Sequence, residues 1–143
     1  MGAAPVQRFP RSMRLKRRRL IRSLFDRSNP EVESVVTANI RILYRFVPRS
    51  ATGTDAPVQV GFAPGRCRNA VQRNRLRRCM REAWRTHQYL INPKNFPSAE
   101  SLILMILVRS PKHVEKLSKD IVQAMRSLSN RLNRYQEGVT SGP

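Results

Sequence analysis

Residues 66–85 read RCRNAVQRNRLRRCMREAWR and hold eight arginines against one acid, Glu82. Leu76, Cys79, Met80, Ala83 and Trp84 recur at i, i+3, i+4, i+7 and i+8, the spacing of one apolar stripe on a helix. Arg73, Asn74, Arg77, Arg78, Arg81 and Arg85 fall on the opposite arc. Such a helix docks one side on a core. Its other side needs a partner that offsets the crowding of like charge. An ordinary solvated face interleaves acids with bases, whereas Arg73, Arg77, Arg81 and Arg85 repel one another at i,i+4. Asn69 is a good N-cap, so the helix is predicted from there to about Gln88.

Working outward, Pro64-Gly65 breaks the chain ahead of this helix, and Val58–Ala63 reads as a strand. Further upstream, Val35–Val47 is β-like, with Ile40, Ile42, Tyr44 and Phe46 alternating with Arg41, Leu43 and Arg45. The two strands are expected to pair as a hairpin across the 48–57 loop. Downstream, Leu102–Val108 is a continuous apolar run, which predicts a buried central strand and a β-α-β crossover around the arginine helix. A first helix is predicted over Met13–Asp26, ending at Ser28-Asn29-Pro30. A last one is predicted from His113 to about Arg134, where Val114, Leu117, Ile121, Ala124, Met125, Leu128 and Leu132 form a stripe. The expected architecture is a single α+β domain, an α/β sandwich with a small central sheet covered by helices. Residues 1–12 read as a flexible basic arm, 13–135 as the domain and 136–143 as a flexible tail.

The chain has 143 residues, enough for one domain with a real core, and 40% of them are hydrophobic. Its 28 basic residues against 9 acidic give a net charge of +19, which points to a polyanionic partner, nucleic acid first. Arginines outnumber lysines 23 to 5. The guanidinium fork binds phosphate bidentately and stacks on bases, so the bias suits nucleic acid. Neutralising about eight phosphates would make affinity fall on the order of a thousandfold between roughly 50 and 200 mM salt. The longest apolar run is far short of a membrane span, and no apolar segment follows the basic N-terminus as a signal peptide needs. Cys67 and Cys79 fit free thiols in a reducing cytoplasm. The nine acids are scattered, His87 and His113 lie near no candidate nucleophile, and no glycine-rich phosphate loop exists. No catalytic residue and no metal site are expected. An RNA-binding surface is.

The run Asn69–Trp84, NAVQRNRLRRCMREAW, resembles the signature of the bacterial ribonuclease P protein component, the RNR motif, at a dozen positions of fixed spacing. The likeness extends to Leu15-Lys16, to Ile21–Phe25, to Ile42-Leu43-Tyr44 and to Val60-Gly61-Phe62, covering about 14–132. It implies an αβββαβα sandwich with a left-handed crossover, although parallel β-α-β units are in general right-handed. It implies a cytoplasmic ribonucleoprotein in which a catalytic RNA, with magnesium ions, cleaves precursor tRNA and releases the 5′ leader. The protein assists and holds no cofactor, takes no small-molecule substrate and binds no membrane. Carried over by position, Arg66, Arg68, Asn69, Arg73, Asn74, Arg75, Arg77, Arg78 and Arg81 would contact the catalytic RNA. Arg14, Lys16, Arg17, Ile21, Phe25 and Tyr44 would form the cleft for the single-stranded leader. Two departures stand out. Gly65-Arg66 replaces paired lysines ahead of the helix, and Ile21 replaces a phenylalanine, so stacking would lean on Phe25 and Tyr44. A ribosomal protein or RNA chaperone fits the composition equally, but gives no reason for the spacing from Asn69 to Trp84.

Overall fold

The computed structural model describes residues 9–37, 39–67, 69–110 and 114–140. The elements follow the order α1 (Arg18–Phe25), β1 (Glu33–Thr37), β2 (Ile40–Pro48), β3 (Val58–Ala63), α2 (Ala70–His87), β4 (Glu100–Val108) and α3 (Leu117–Thr140), joined by short 3-10 turns. The αβββαβα order is the expected one.

β4 decides the sheet. Leu102, Leu104, Ile106 and Val108 point into the core shared with α2 and α3, and Ile103 and Met105 point into the core under α1. A strand apolar on both faces is stable only when both faces are covered and neighbours flank it. The strand order is β1-β2-β4-β3, with β2 antiparallel and β3 parallel to β4. Leu104 thus lies between Tyr44 and Val60.

Three expectations are corrected. Val35–Val47 is two strands: β1 pairs with β2 antiparallel, with Thr37 opposite Ile40. Asn39 makes the turn possible. Its backbone carbonyl accepts from the Arg109 amide at 2.8 Å and its side-chain oxygen accepts from the Ser110 amide at 2.7 Å. The hairpin between β2 and β3 does not form either, because β4 inserts between them. The first helix starts at Arg18 and not at Met13. Ahead of it the chain is extended, with Arg14 bridging to Val60 and the Leu15 amide donating to the Val60 carbonyl at 3.0 Å. Part of the free edge of β3 is covered in this way, which removes a template for unwanted strand pairing.

The ends also differ from the sequence reading. Phe9, within the expected arm, is buried against the core and meets Phe62 edge-on at 5.8 Å. α3 continues past Arg134 to Thr140. His113 lies outside the described residues. No helix among the described residues is long and apolar enough to cross a membrane.

Candidate nucleic-acid interface

α2 begins where Asn69 caps it, its side-chain oxygen accepting from the Gln72 amide at 2.8 Å. The loop before it is tightly placed. Gly65 has φ +81, and a Cβ there would lie 2.8 Å from the Val108 carbonyl oxygen, so glycine is required. Leu76, Met80, Ala83 and Trp84 are buried, and Cys79 packs half-buried beside them. Burial pushes the Cys79 thiol pKa up, partly opposed by Arg75, as suits a packing residue rather than a nucleophile.

Outside the buried stripe the helix is open, and so is its first turn, where Arg73 lies ahead of Leu76 on the stripe's own side and not on the opposite arc as expected. Arg73, Asn74, Arg75, Arg77, Arg78 and Arg81 are exposed, as are Arg66 and Asn69. Arg68 lies outside the described residues. Among the described residues no carboxylate pairs with Arg73, Arg75, Arg77, Arg78 or Arg81. Glu82 is engaged by Arg85, whose Nε donates to it at 3.0 Å, and this bond holds the Glu82 carboxyl below its usual range. α2 therefore turns a row of free guanidinium groups outward, with its one acid already neutralised. Guanidinium groups so arranged have the geometry and charge to pair with phosphates. Asn69 is the exception among the RNA candidates, since its carboxamide oxygen is committed to the cap.

The residues expected to hold a leader are not all brought together. Side chains alternate across a strand. In β2, Ile40, Ile42 and Tyr44 therefore face α2 and α3, whereas Leu43 and Val47 face α1. Ile21 packs half-buried on the α1 side, and Phe25, 46% exposed, stands there over a groove of about 690 Å³ lined also by Leu43, by Arg41 and Arg27, and by the acids Asp26 and Glu33. Tyr44 is on the other side of the sheet, 4% exposed, donating its hydroxyl to Glu33 at 2.8 Å. Burial and that carboxylate push its phenol up to about 12. The cavity beside Tyr44 shares Glu33 with that groove and adds Glu31 and Glu100, with Glu31 paired to Arg45 at 3.2 Å, so it holds more acids than bases.

The basic candidates near α1 divide as well. Lys16 is exposed. Arg17 donates to the Ala51 carbonyl at 3.0 Å and its guanidinium packs against Gly53, so it ties the 49–55 loop to the start of α1. Arg14 lies with its guanidinium 5.5 Å from the centre of the Phe9 ring. Arg41 and Arg27 are groove residues that the sequence reading passed over. Arg41 was signalled by its place two residues from Leu43 on the same strand. Among the described residues no group of three histidines, cysteines or carboxylates could hold a metal ion.

Comparison with known proteins agrees with this geometry. Curated proteins offer no match. A solved structure of Staphylococcus aureus RNase P protein matches with a TM-score of 0.57 at 14% identity, covering 81% of this chain and 94% of that one. At such identity the likeness shows the fold alone. The family model named Ribonuclease P matches residues 9–133, nearly the whole described chain. With the arginine face of α2 and the αβββαβα fold, that match shows that the chain belongs to the Ribonuclease P family and serves tRNA processing as a protein subunit.

Proposed function

We propose that the chain binds the catalytic RNA of ribonuclease P through the outer face of α2 and receives the 5′ leader of precursor tRNA on the α1 side of the sheet. The observation that carries the reading is the α2 surface, with Arg73, Arg75, Arg77, Arg78 and Arg81 exposed and, among the described residues, unpaired with carboxylates while Leu76, Met80, Ala83 and Trp84 are buried. Guanidinium groups spaced along a helix meet successive phosphates of a folded RNA and position it. Phe25, exposed over its groove, supplies a ring on which an unpaired leader base can stack. Arg41 and Arg27 flank that ring, whereas Tyr44 belongs to the fold. The cut itself is assigned to the RNA, along with its magnesium ions. The place of action is the cytoplasm.

The test is to add the protein to a bacterial ribonuclease P RNA at low magnesium and measure cleavage of precursor tRNA. A clear gain over RNA alone is expected. No gain would overturn the reading, and turnover by the protein without RNA would move catalysis into the chain.

A further inference from the structure

The first turns of α2 carry an apolar tip where the rest of the outer face carries charge. Val71 is 79% exposed, more than any other large hydrophobic side chain among the described residues, and Ala70 beside it is exposed as well. A step of about 100° per residue puts Val71 about 140° around the helix from Leu76, well clear of the buried stripe. Val71, Asn74, Arg75 and Arg78 recur at i, i+3, i+4 and i+7, so they form one row, and all four are exposed. The Asn74 carboxamide makes no hydrogen bond among the described residues, and no carboxylate there pairs with Arg75 or Arg78. Valine is a poor helix former, so neither packing nor helix stability accounts for it at this position.

The row mixes three chemistries. It has an alkyl tip, an amide that both donates and accepts, and two guanidinium groups about 6 and 10.5 Å further along the axis from Val71. A ridge of phosphates alone would engage the guanidinium groups and leave the valine and the amide idle. The minor groove of an A-form RNA helix engages all three. It is wide and shallow, it displays 2′-hydroxyls and base edges, and phosphates border it. Ribose C–H groups give a valine apolar contact there, and a 2′-hydroxyl, donor and acceptor at once, suits a carboxamide. We propose that the first turns of α2 lie in the minor groove of a helix of the RNA that α2 holds. Val71 packs against the riboses, Asn74 bonds to a 2′-hydroxyl, and Arg75 and Arg78 meet the bordering phosphates. The proposal rests on the reading of α2 as an RNA face and adds recognition of the ribose, which makes this end of the helix selective for RNA over other polyanions.

Full-length protein is bound to a bacterial ribonuclease P RNA over a salt series, and also to pools of that RNA in which 2′-deoxynucleotides replace a few ribonucleotides at random. Val71→Ala with Asn74→Ala removes the alkyl tip and the amide but no charge. Both positions are exposed and alanine is the better helix former, so the fold stays intact. Affinity should fall roughly tenfold at every salt concentration, with the slope of log affinity against log salt unchanged. With the wild type, 2′-deoxy substitution at a short cluster of nucleotides should deplete the bound pool. Asn74→Ala should abolish the depletion at part of that cluster, whereas Arg77→Ala with Arg81→Ala should leave it in place. Wild-type affinity in the Val71 and Asn74 double variant, or a 2′-deoxy pattern that is absent or that Asn74→Ala leaves unchanged, would overturn the minor-groove contact. The α2 reading would then still stand if the salt slope responds to Arg77 and Arg81. Failure of the wild type to retain the RNA would overturn both.

Discussion

Replacing Arg77 and Arg81 together by alanine separates an RNA-binding face from a merely charged one. Both side chains are exposed, four residues apart, and have no carboxylate partner among the described residues. Their removal breaks no observed contact, relieves a like-charge pair and introduces the best helix former. Thermal stability should therefore stay level or rise slightly. If each arginine neutralises one phosphate, the slope of log affinity against log salt should shrink by about 0.9 per residue, or about 1.8 for the pair. Between roughly 50 and 200 mM salt this amounts to about a tenfold smaller loss of affinity for the variant than for the wild type. The assay is equilibrium binding to a bacterial ribonuclease P RNA over a salt series, with melting curves on the same samples. Met80→Ala is the control on the reverse side. It is fully buried, so the substitution should cost about 2–5 kcal/mol of stability without changing the salt slope of the folded fraction. An unchanged slope in the double variant would refute the phosphate role, and a lowered melting temperature would show that the two arginines serve the fold.

Phe25→Ala should leave stability nearly unchanged and weaken leader-bearing precursor roughly tenfold more than mature tRNA, because stacking on one base is lost; equal losses on the two RNAs would count against the α1-side groove. Tyr44→Phe removes the 2.8 Å bond to the Glu33 carboxylate, should cost about 1.5–3 kcal/mol at neutral pH, and should spare leader discrimination. The Tyr44 pKa is raised in the folded chain from 10.0 to about 12, so its contribution is full below pH 10 and lost as pH climbs toward 12. Denaturant melts across that window should show the gap between wild type and Tyr44→Phe closing, and a constant gap would contradict the assignment. Gly65→Ala should cost at least about 1–2 kcal/mol for a side chain at φ +81, with more from crowding on the Val108 carbonyl, which as backbone cannot swing away. An unshifted melting midpoint would show that the loop ahead of α2 adapts freely.

Much of the site could be read along the chain because its signals are local. The stripe from Leu76 to Trp84 is a periodicity within one helix, and the structure buries four of its five members and half-buries Cys79. The same holds for the Asn69 cap and for the run at Leu102–Val108, whose apolar character on both faces demands a central position. Other features escaped because they depend on what lies opposite. Arg14 and Leu15 have helical neighbours in sequence, yet the open edge of β3 claims their backbone. The β-like run is interrupted at Asn39, which turns because its partners at Arg109 and Ser110 arrive from the end of β4.

An amphipathic arginine helix, an α+β domain and a nucleic-acid partner are legible along the chain, since charge, spacing and hydrophobic period are written residue by residue. Which groups meet is settled by the packing. Strand alternation carries Tyr44 to the side away from Phe25, β4 separates β2 from β3, and packing buries the Trp84 N–H with no acceptor among the described residues. Alternation is local, but which face α1 covers and which strand enters the sheet depend on contacts between residues far apart in the chain, and no local pattern encodes these.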